Sequence, residues 1–181
     1  MKVVVFFAKG YEEIEALSVV DVLRRGGVEV VMAGVDGDCI KSGRGIEIKM
    51  DQRVETIDYN TVDMLVVPGG VPGVDNLYAS KFVVEQLKAF KQANKWIGAI
   101  CAAPGVLGKL GLLEGESATC YPGVEEELKG ATVVNERVVV SHKVVTGIGA
   151  GASLEFALCL LELLMGSEKK EQVKRGMLIK L

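Results

Sequence analysis

The sequence predicts a single α/β domain over residues 1–181, with a mostly parallel sheet covered by helices on both faces. Three observations predict it. Short β-branched runs alternate with helix-period runs, which implies right-handed crossovers between parallel strands. The core strands read as unbroken apolar runs, as strands buried on both faces do. Finally, 49% hydrophobic residues with a net charge of −3 exclude a disordered chain.

The elements follow in order. Val3 to Phe7 reads as a buried strand, and Glu12 to Arg25 as a helix that stops at Gly26-Gly27. Val28 to Ala33 is a second strand, and Cys39 to Met50 a hairpin around Ser42-Gly43. Val62 to Val67 is a third core strand, ending in Pro68-Gly69-Gly70. Ser80 can cap a helix through Ala93, and Trp96 to Ile100 is a strand running straight into Cys101. A short helix then leads to Ser117-Ala118-Thr119. Ala131 to Asn135 and Arg137 to Val140 are expected to pair with Lys143 to Thr146, turning near Ser141-His142. Ser153 to Met165 is the closing helix, apolar nearly all round and therefore expected to be buried. No repeat, linker or low-complexity tract interrupts this pattern.

Composition narrows the function classes. The balance of 21 basic and 24 acidic residues gives no domain-wide basic field, so nucleic acid and anionic membrane are poor partners. Four cysteines lie far apart without a CxxC pair, and His142 is the single histidine, so neither a zinc site nor any other metal is expected. A disulfide framework is not expected in a core this large. Met1-Lys2 runs directly into Val3 to Phe7, too short for a signal-peptide core and lacking a small-residue cleavage site. The most apolar stretch, Phe156 to Leu161, is bounded by Glu155 and Glu162, far short of a membrane span. A cytoplasmic protein is the expectation.

Sites on open parallel sheets form at the carboxyl ends of the strands. That rule gathers Ala8-Lys9-Gly10, Gly69-Gly70 and Cys101 on one edge. Cys101 stands where a strand turns sharply into a helix, followed by Ala102, Ala103 and Pro104-Gly105. A nucleophile elbow needs that arrangement, and free N–H groups at a helix start favour thiolate over thiol. Position alone leaves a second reading open, a small buried hydrophobe. Cys159 reads as core, while Cys39 and Cys120 are undecided.

Glu15 is the second unusual residue. Ile14, Leu17, Val20 and Leu23 form an apolar stripe, and Glu15 shares its own face with Val19 and Val22. A helix apolar on both sides buries this carboxyl, and burial without a cation raises its pKa. Glu12 and Glu13 read as first-turn acids complementing the helix dipole. Gly69-Gly70 is either a tight turn or a backbone cradle of the oxyanion-hole kind. Gly147 to Ala152 looks like a dinucleotide fingerprint, but no later strand with a ribose-binding acid follows. Glycines that bring the last helix close to the sheet are the better reading. His142 belongs at the opposite edge from Cys101, so no Cys–His dyad is expected.

Ala8-Lys9-Gly10-Tyr11-Glu12-Glu13-Ile14-Glu15, Val67-Pro68-Gly69-Gly70 and Ala99-Ile100-Cys101-Ala102-Ala103-Pro104 closely resemble motifs of the ThiJ/PfpI superfamily. The nearest likeness is to the branch of the parkinsonism-associated protein deglycase and its bacterial relatives, over essentially the whole chain. The resemblance implies a flavodoxin-like three-layer sandwich with a nucleophile elbow, usually a homodimer, with no cofactor. It implies that Cys101 is an oxidation-sensitive nucleophile and Glu15 the protonated carboxyl bonded to it. It also implies backbone N–H groups from Gly70 and Ala102, and an arginine, Arg44, offered near the partner subunit's site. Tyr121 stands before Pro122 where many relatives carry histidine, and Ala102 follows the nucleophile where the protease-like branch carries histidine. The second departure argues against a cysteine peptidase.

These readings converge on a cysteine-dependent enzyme acting on reactive dicarbonyls or on glycated protein. Cys101 and Glu15 would be catalytic, with Gly69, Gly70, Ala102, Tyr121 and Arg44 around the substrate. The alternative is a non-enzymatic oxidative-stress sensor or chaperone in which Cys101 becomes a sulfinate.

Overall fold

The strand Lys2–Phe7 (β1) organises the chain, and its alternation divides the core in two. Val4 and Phe6 enter one apolar layer, whereas Val3, Val5 and Phe7 enter the other. The computed structural model describes residues 1–180. From β1 the chain runs through α1 (Glu13–Arg25), β2 (Glu29–Gly34), β3 (Cys39–Lys41), β4 (Glu47–Lys49) and β5 (Gln52–Arg53). It continues through β6 (Met64–Val67), α2 (Gly73–Ala79), α3 (Lys81–Gln92), β7 (Trp96–Ile100) and α4 (Ala103–Lys109). Then come β8 (Ser117–Ala118), β9 (Thr132–Val133), β10 (Val138–Ser141), β11 (Val144–Gly147), α5 (Ser153–Met165) and α6 (Ser167–Gly176).

Seven strands form the main sheet in the order β10-β11-β7-β6-β1-β2-β5. Every pair in it is parallel except the β10–β11 hairpin. The predicted three-layer α/β sandwich is therefore the observed one, and β1, β6 and β7 end on a common edge.

Local chemistry explains the element limits. Glu12 caps α1, its carboxylate accepting the Glu15 N–H at 2.7 Å, and the helix ends at Gly26-Gly27. Ser80 caps α3 by accepting from the Val83 N–H. Close approach of α5 to the sheet depends on two residues without side chains. A Cβ at Gly147 would sit 3.1 Å from Phe156 Cδ2, and one at Gly98 3.2 Å from Phe156 Cζ. Of the late glycines Gly147 therefore fits the packing reading, whereas a Cβ at Gly149 would face Tyr121 and the Cys101 sulfur and one at Gly151 would meet nothing within 4 Å.

Two expectations require correction. The segment Ala131 to Asn135 does not join the β10–β11 hairpin. Thr132–Val133 instead pairs in parallel with Ser117–Ala118 as a separate two-stranded ribbon. The reason is local: the Thr132 N–H donates to the Glu116 carbonyl and the Val134 N–H to the Ala118 carbonyl. Nor does Ser153–Met165 close the fold, because Gly166 at φ +85° breaks the helix and α6 follows. Alpha-5 is also less uniformly covered than expected, since Cys159 is half-buried and Met165 exposed.

At the edge opposite Cys101, Glu116 is 4% exposed yet ionised. Lys91, the Ser141 hydroxyl and His142 Nδ1 all reach its carboxylate, at 2.5, 2.6 and 2.8 Å. This holds His142 far from the nucleophile, as the strand order requires. Burial acts against the charge, but the Lys91, Ser141 and His142 contacts outweigh it and depress the Glu116 pKa from 4.5 to about 2. A depressed carboxylate stabilises fully above its unfolded pKa, and that stability drains away as pH falls toward the folded value. We therefore expect Glu116→Ala to lose about 2–3 kcal/mol in urea unfolding at pH 7. The gap from wild type should narrow below pH 4.5 and close near pH 2.

Candidate active site

Three chain segments meet at the carboxyl edge of β1, β6 and β7. Cys101 follows β7 directly and adopts φ +65°, a left-handed conformation that a non-glycine residue rarely takes. Its backbone is held on both sides, the N–H donating to the Gly147 carbonyl and the carbonyl accepting from Tyr121, at 2.9 and 2.8 Å. This forces the side chain out at the start of α4, as an elbow does. The sulfur is partly exposed, while Cys120 is buried and Cys39 lies on the surface.

Glu15 reaches the same point from α1. It is wholly buried; one carboxylate oxygen accepts the Gly69 N–H at 2.8 Å, and the other, Oε1, has no hydrogen-bond partner among the described residues, with the Cys101 side chain beside the carboxyl. Gly69 is obligatory here: a Cβ would lie 2.5 Å from Glu15 Oε2 and 2.6 Å from Cys101 Cβ. Gly70, at φ +94°, turns the chain so that its own N–H faces the sulfur, as does the N–H of Ala102. Gly69 and Gly70 thus divide the work. The Gly69 N–H is committed to the carboxyl, and the Gly70 N–H remains for the sulfur side.

Burial raises the Glu15 pKa to about 7, helped by the nearby charge of Glu12 and opposed by the Cys101 thiol and the Gly69 N–H. No cation among the described residues is a cause of the shift, and the raised direction is the one that the sequence predicts for a buried carboxyl. The thiol departs from expectation. Burial, then the charge and hydrogen bond of Glu15, push Cys101 up to about 12, and the N–H groups of Ala102 and Gly70 only partly oppose this. A carboxylate and a thiolate cannot both be charged in so dry a place. The pair holds one negative charge near neutral pH, and the thiolate exists where Glu15 takes the proton.

The remaining candidates lie at graded distances. The exposed Tyr121 ring flanks Gly149, where a Cβ would be 3.4 Å from the ring and 4.0 Å from the sulfur. Arg44 lies one step away, with Glu12, Gly70 and Val71 around a neighbouring cleft of about 230 Å³. What fixes Arg44 was not visible in the sequence. Glu13 is buried, accepting the Ser42 hydroxyl at 2.5 Å and the Arg44 N–H at 2.9 Å. Its pKa is lowered because these bonds and the Arg44 charge outweigh desolvation. Glu13 is thus a clamp between α1 and the β3–β4 turn, not a solvent-facing dipole partner.

The DJ-1/PfpI family profile matches residues 1–163. Arabidopsis thaliana Protein DJ-1 homolog B is 38% identical over 95% of this chain, which spans 40% of that protein's length. The Caenorhabditis elegans glutathione-independent glyoxalase DJR-1.2 is 37% identical over 87% of this chain and 85% of its own. Among solved structures, oxidized Toxoplasma gondii DJ-1 superposes with a TM-score of 0.95 at 38% identity, covering 99% of both chains.

The shared charge predicts a pH profile for alkylation of Cys101. The rate should rise through about pH 7, where Glu15 loses the pair's first proton, and level off above it. In Glu15→Gln no carboxylate charge opposes the thiolate, so the levelling should vanish and the rate at pH 9 should exceed that of wild type about tenfold or more. Iodoacetamide kinetics resolved for each cysteine by mass spectrometry read both.

Proposed function

Because the chain belongs to the DJ-1/PfpI family, we propose that it is a cofactor-independent, cysteine-dependent enzyme of glyoxalase or deglycase type. Its substrates would be reactive dicarbonyls or the early adducts they form on protein. One observation carries the reading: the Cys101 thiol and the buried Glu15 carboxyl face each other across Gly69 at a strand-to-helix elbow, where a Cβ would lie 2.5 Å from Glu15 Oε2 and 3.1 Å from Cys101 Sγ. The glyoxalase name of the Caenorhabditis elegans relative supports the substrate class.

With methylglyoxal, Cys101 Sγ attacks the aldehyde carbon while its proton passes to Glu15 and on to the aldehyde oxygen. The product is a hemithioacetal. The N–H groups of Gly70 and Ala102 face the sulfur and would steady the developing oxyanion beside it. Glu15, again a carboxylate, takes the proton from the former aldehyde carbon and returns it to the adjacent carbon, while the hemithioacetal hydroxyl proton passes to the former ketone oxygen. This leaves a thioester, which water cleaves to lactate and the free thiol. A pKa of about 7 suits a group that must both take and give a proton near neutral pH. Tyr121 can donate a hydrogen bond at the open side but is a poor base. A free thiol at the elbow suits a reducing compartment such as the cytoplasm.

A second reading is favoured by the oxidized state of the Toxoplasma relative. In a sensor, peroxide would convert Cys101 to a sulfinate held by protonated Glu15 and the same two N–H groups. The homodimer expectation also belongs here. Ile14 and Ile46 are 57% and 51% exposed, on segments that Glu13 clamps together beside Arg44. A second copy covering them would bring Arg44 to its partner's cleft.

The test of catalysis is lactate formation from methylglyoxal by the purified protein. Cys101→Ala should abolish it, and Glu15→Leu should lower kcat about a hundredfold or more with the fold intact. Equal turnover in Cys101→Ala and wild type would contradict the enzyme reading. For the dimer, Ile14→Asp combined with Ile46→Asp should convert the protein to monomers in sedimentation velocity.

A further inference from the structure

A large cavity lies away from Cys101, between the outermost strand β10 and the helices α5 and α6. Its volume of about 600 Å³ falls in the range of small-molecule sites. One wall is the β10 face: Val138 and Val140, two residues apart, present the same side, and Val140 is 46% exposed with nothing over it. Leu158 and the half-buried Cys159 of α5 complete an apolar floor. Lys170 and Lys174, four residues apart on α6, stand along one rim.

The charges of this rim are unevenly matched. Arg137 donates to Glu155 at 2.6 Å and to the Gly151 carbonyl at 2.7 Å. Lys170 is bound by Glu162 at 2.7 Å. Both carboxylates of the cleft are thereby taken. Lys174 has one carboxylate within reach among the described residues, Glu171 at 3.8 Å, although its side chain is only 23% exposed. A mostly covered lysine side chain whose one acidic neighbour is 3.8 Å away, beside an open apolar floor, complements an anion carrying a hydrocarbon tail.

We propose that this cleft is a binding site for a free alkyl carboxylate. The tail lies over Val138, Val140 and Leu158, and the carboxylate meets Lys174. Lys170, already bound to Glu162, adds charge at longer range. The site is separate from the elbow, so its occupation does not depend on Cys101.

Calorimetric titration of the full chain with decanoate tests this, with decanol as the uncharged control. Decanoate is expected to bind at one site, and decanol to bind about tenfold more weakly. Lys174→Glu should weaken decanoate about tenfold or more, and Val140→Asp, on an exposed residue the fold does not need, should abolish binding. Cys101→Ala should bind as wild type does. Saturating decanoate should also slow N-ethylmaleimide at Cys159 and leave Cys101 unaffected. The proposal is overturned by an absence of binding heat, by equal affinity for decanol, or by unchanged affinity in Lys174→Glu. Protection of Cys101 in place of Cys159 would overturn it too, by placing the ligand at the elbow.

Discussion

A single negative charge, shared between a buried carboxyl and a thiol, is the constraint around which this chain is arranged. Glu15 can approach Cys101 only because Gly69 has no side chain, and only where β6 and β7 end side by side. Cys101 can face Glu15 only in a left-handed conformation that the Gly147 and Tyr121 hydrogen bonds maintain. Folding thus places two acids in a dry corner and supplies neither with a cation. The N–H groups of Gly69 on one side, and of Gly70 and Ala102 on the other, let the charge rest on either partner.

The opposite edge of the sheet shows what the chain does with a buried carboxylate meant for stability. Glu116 is also buried, though nearer the surface, and Lys91, Ser141 and His142 converge on it and favour its ionised form. One oxygen of Glu13, close to the elbow, likewise accepts from Ser42 and the Arg44 backbone. Only Glu15 is left to titrate near neutral pH. The same residue type therefore serves as staple, clamp and proton carrier, and the difference lies in the donors around it.

Much of this was legible from residue order. Strand ends on one edge follow from alternating β and α runs, and they already bring Gly69, Gly70 and Cys101 together. The position of Glu15 among Val19 and Val22 announced its burial, since helical spacing is a local property. Less legible were features set by distant partners. The clamp of Glu13 on Ser42 joins residues far apart in sequence, and nothing in Glu12-Glu13 distinguishes the capping acid from the buried one. The ribbon of β8 and β9 is two residues long on each side, too short to carry a pattern. The thiol pKa ran against expectation because the helix-start donors are local, whereas the desolvation that outweighs them needs the whole fold.

The shared charge is tested most directly by a carbon-13 NMR titration of the Glu15 carboxyl, in wild type and in Cys101→Ala. The account predicts a midpoint of about 7 in wild type. It predicts a higher midpoint in Cys101→Ala, because the neighbouring thiol that favours the carboxylate is gone. A carboxyl that titrates near the ordinary 4.5 in both proteins would contradict it.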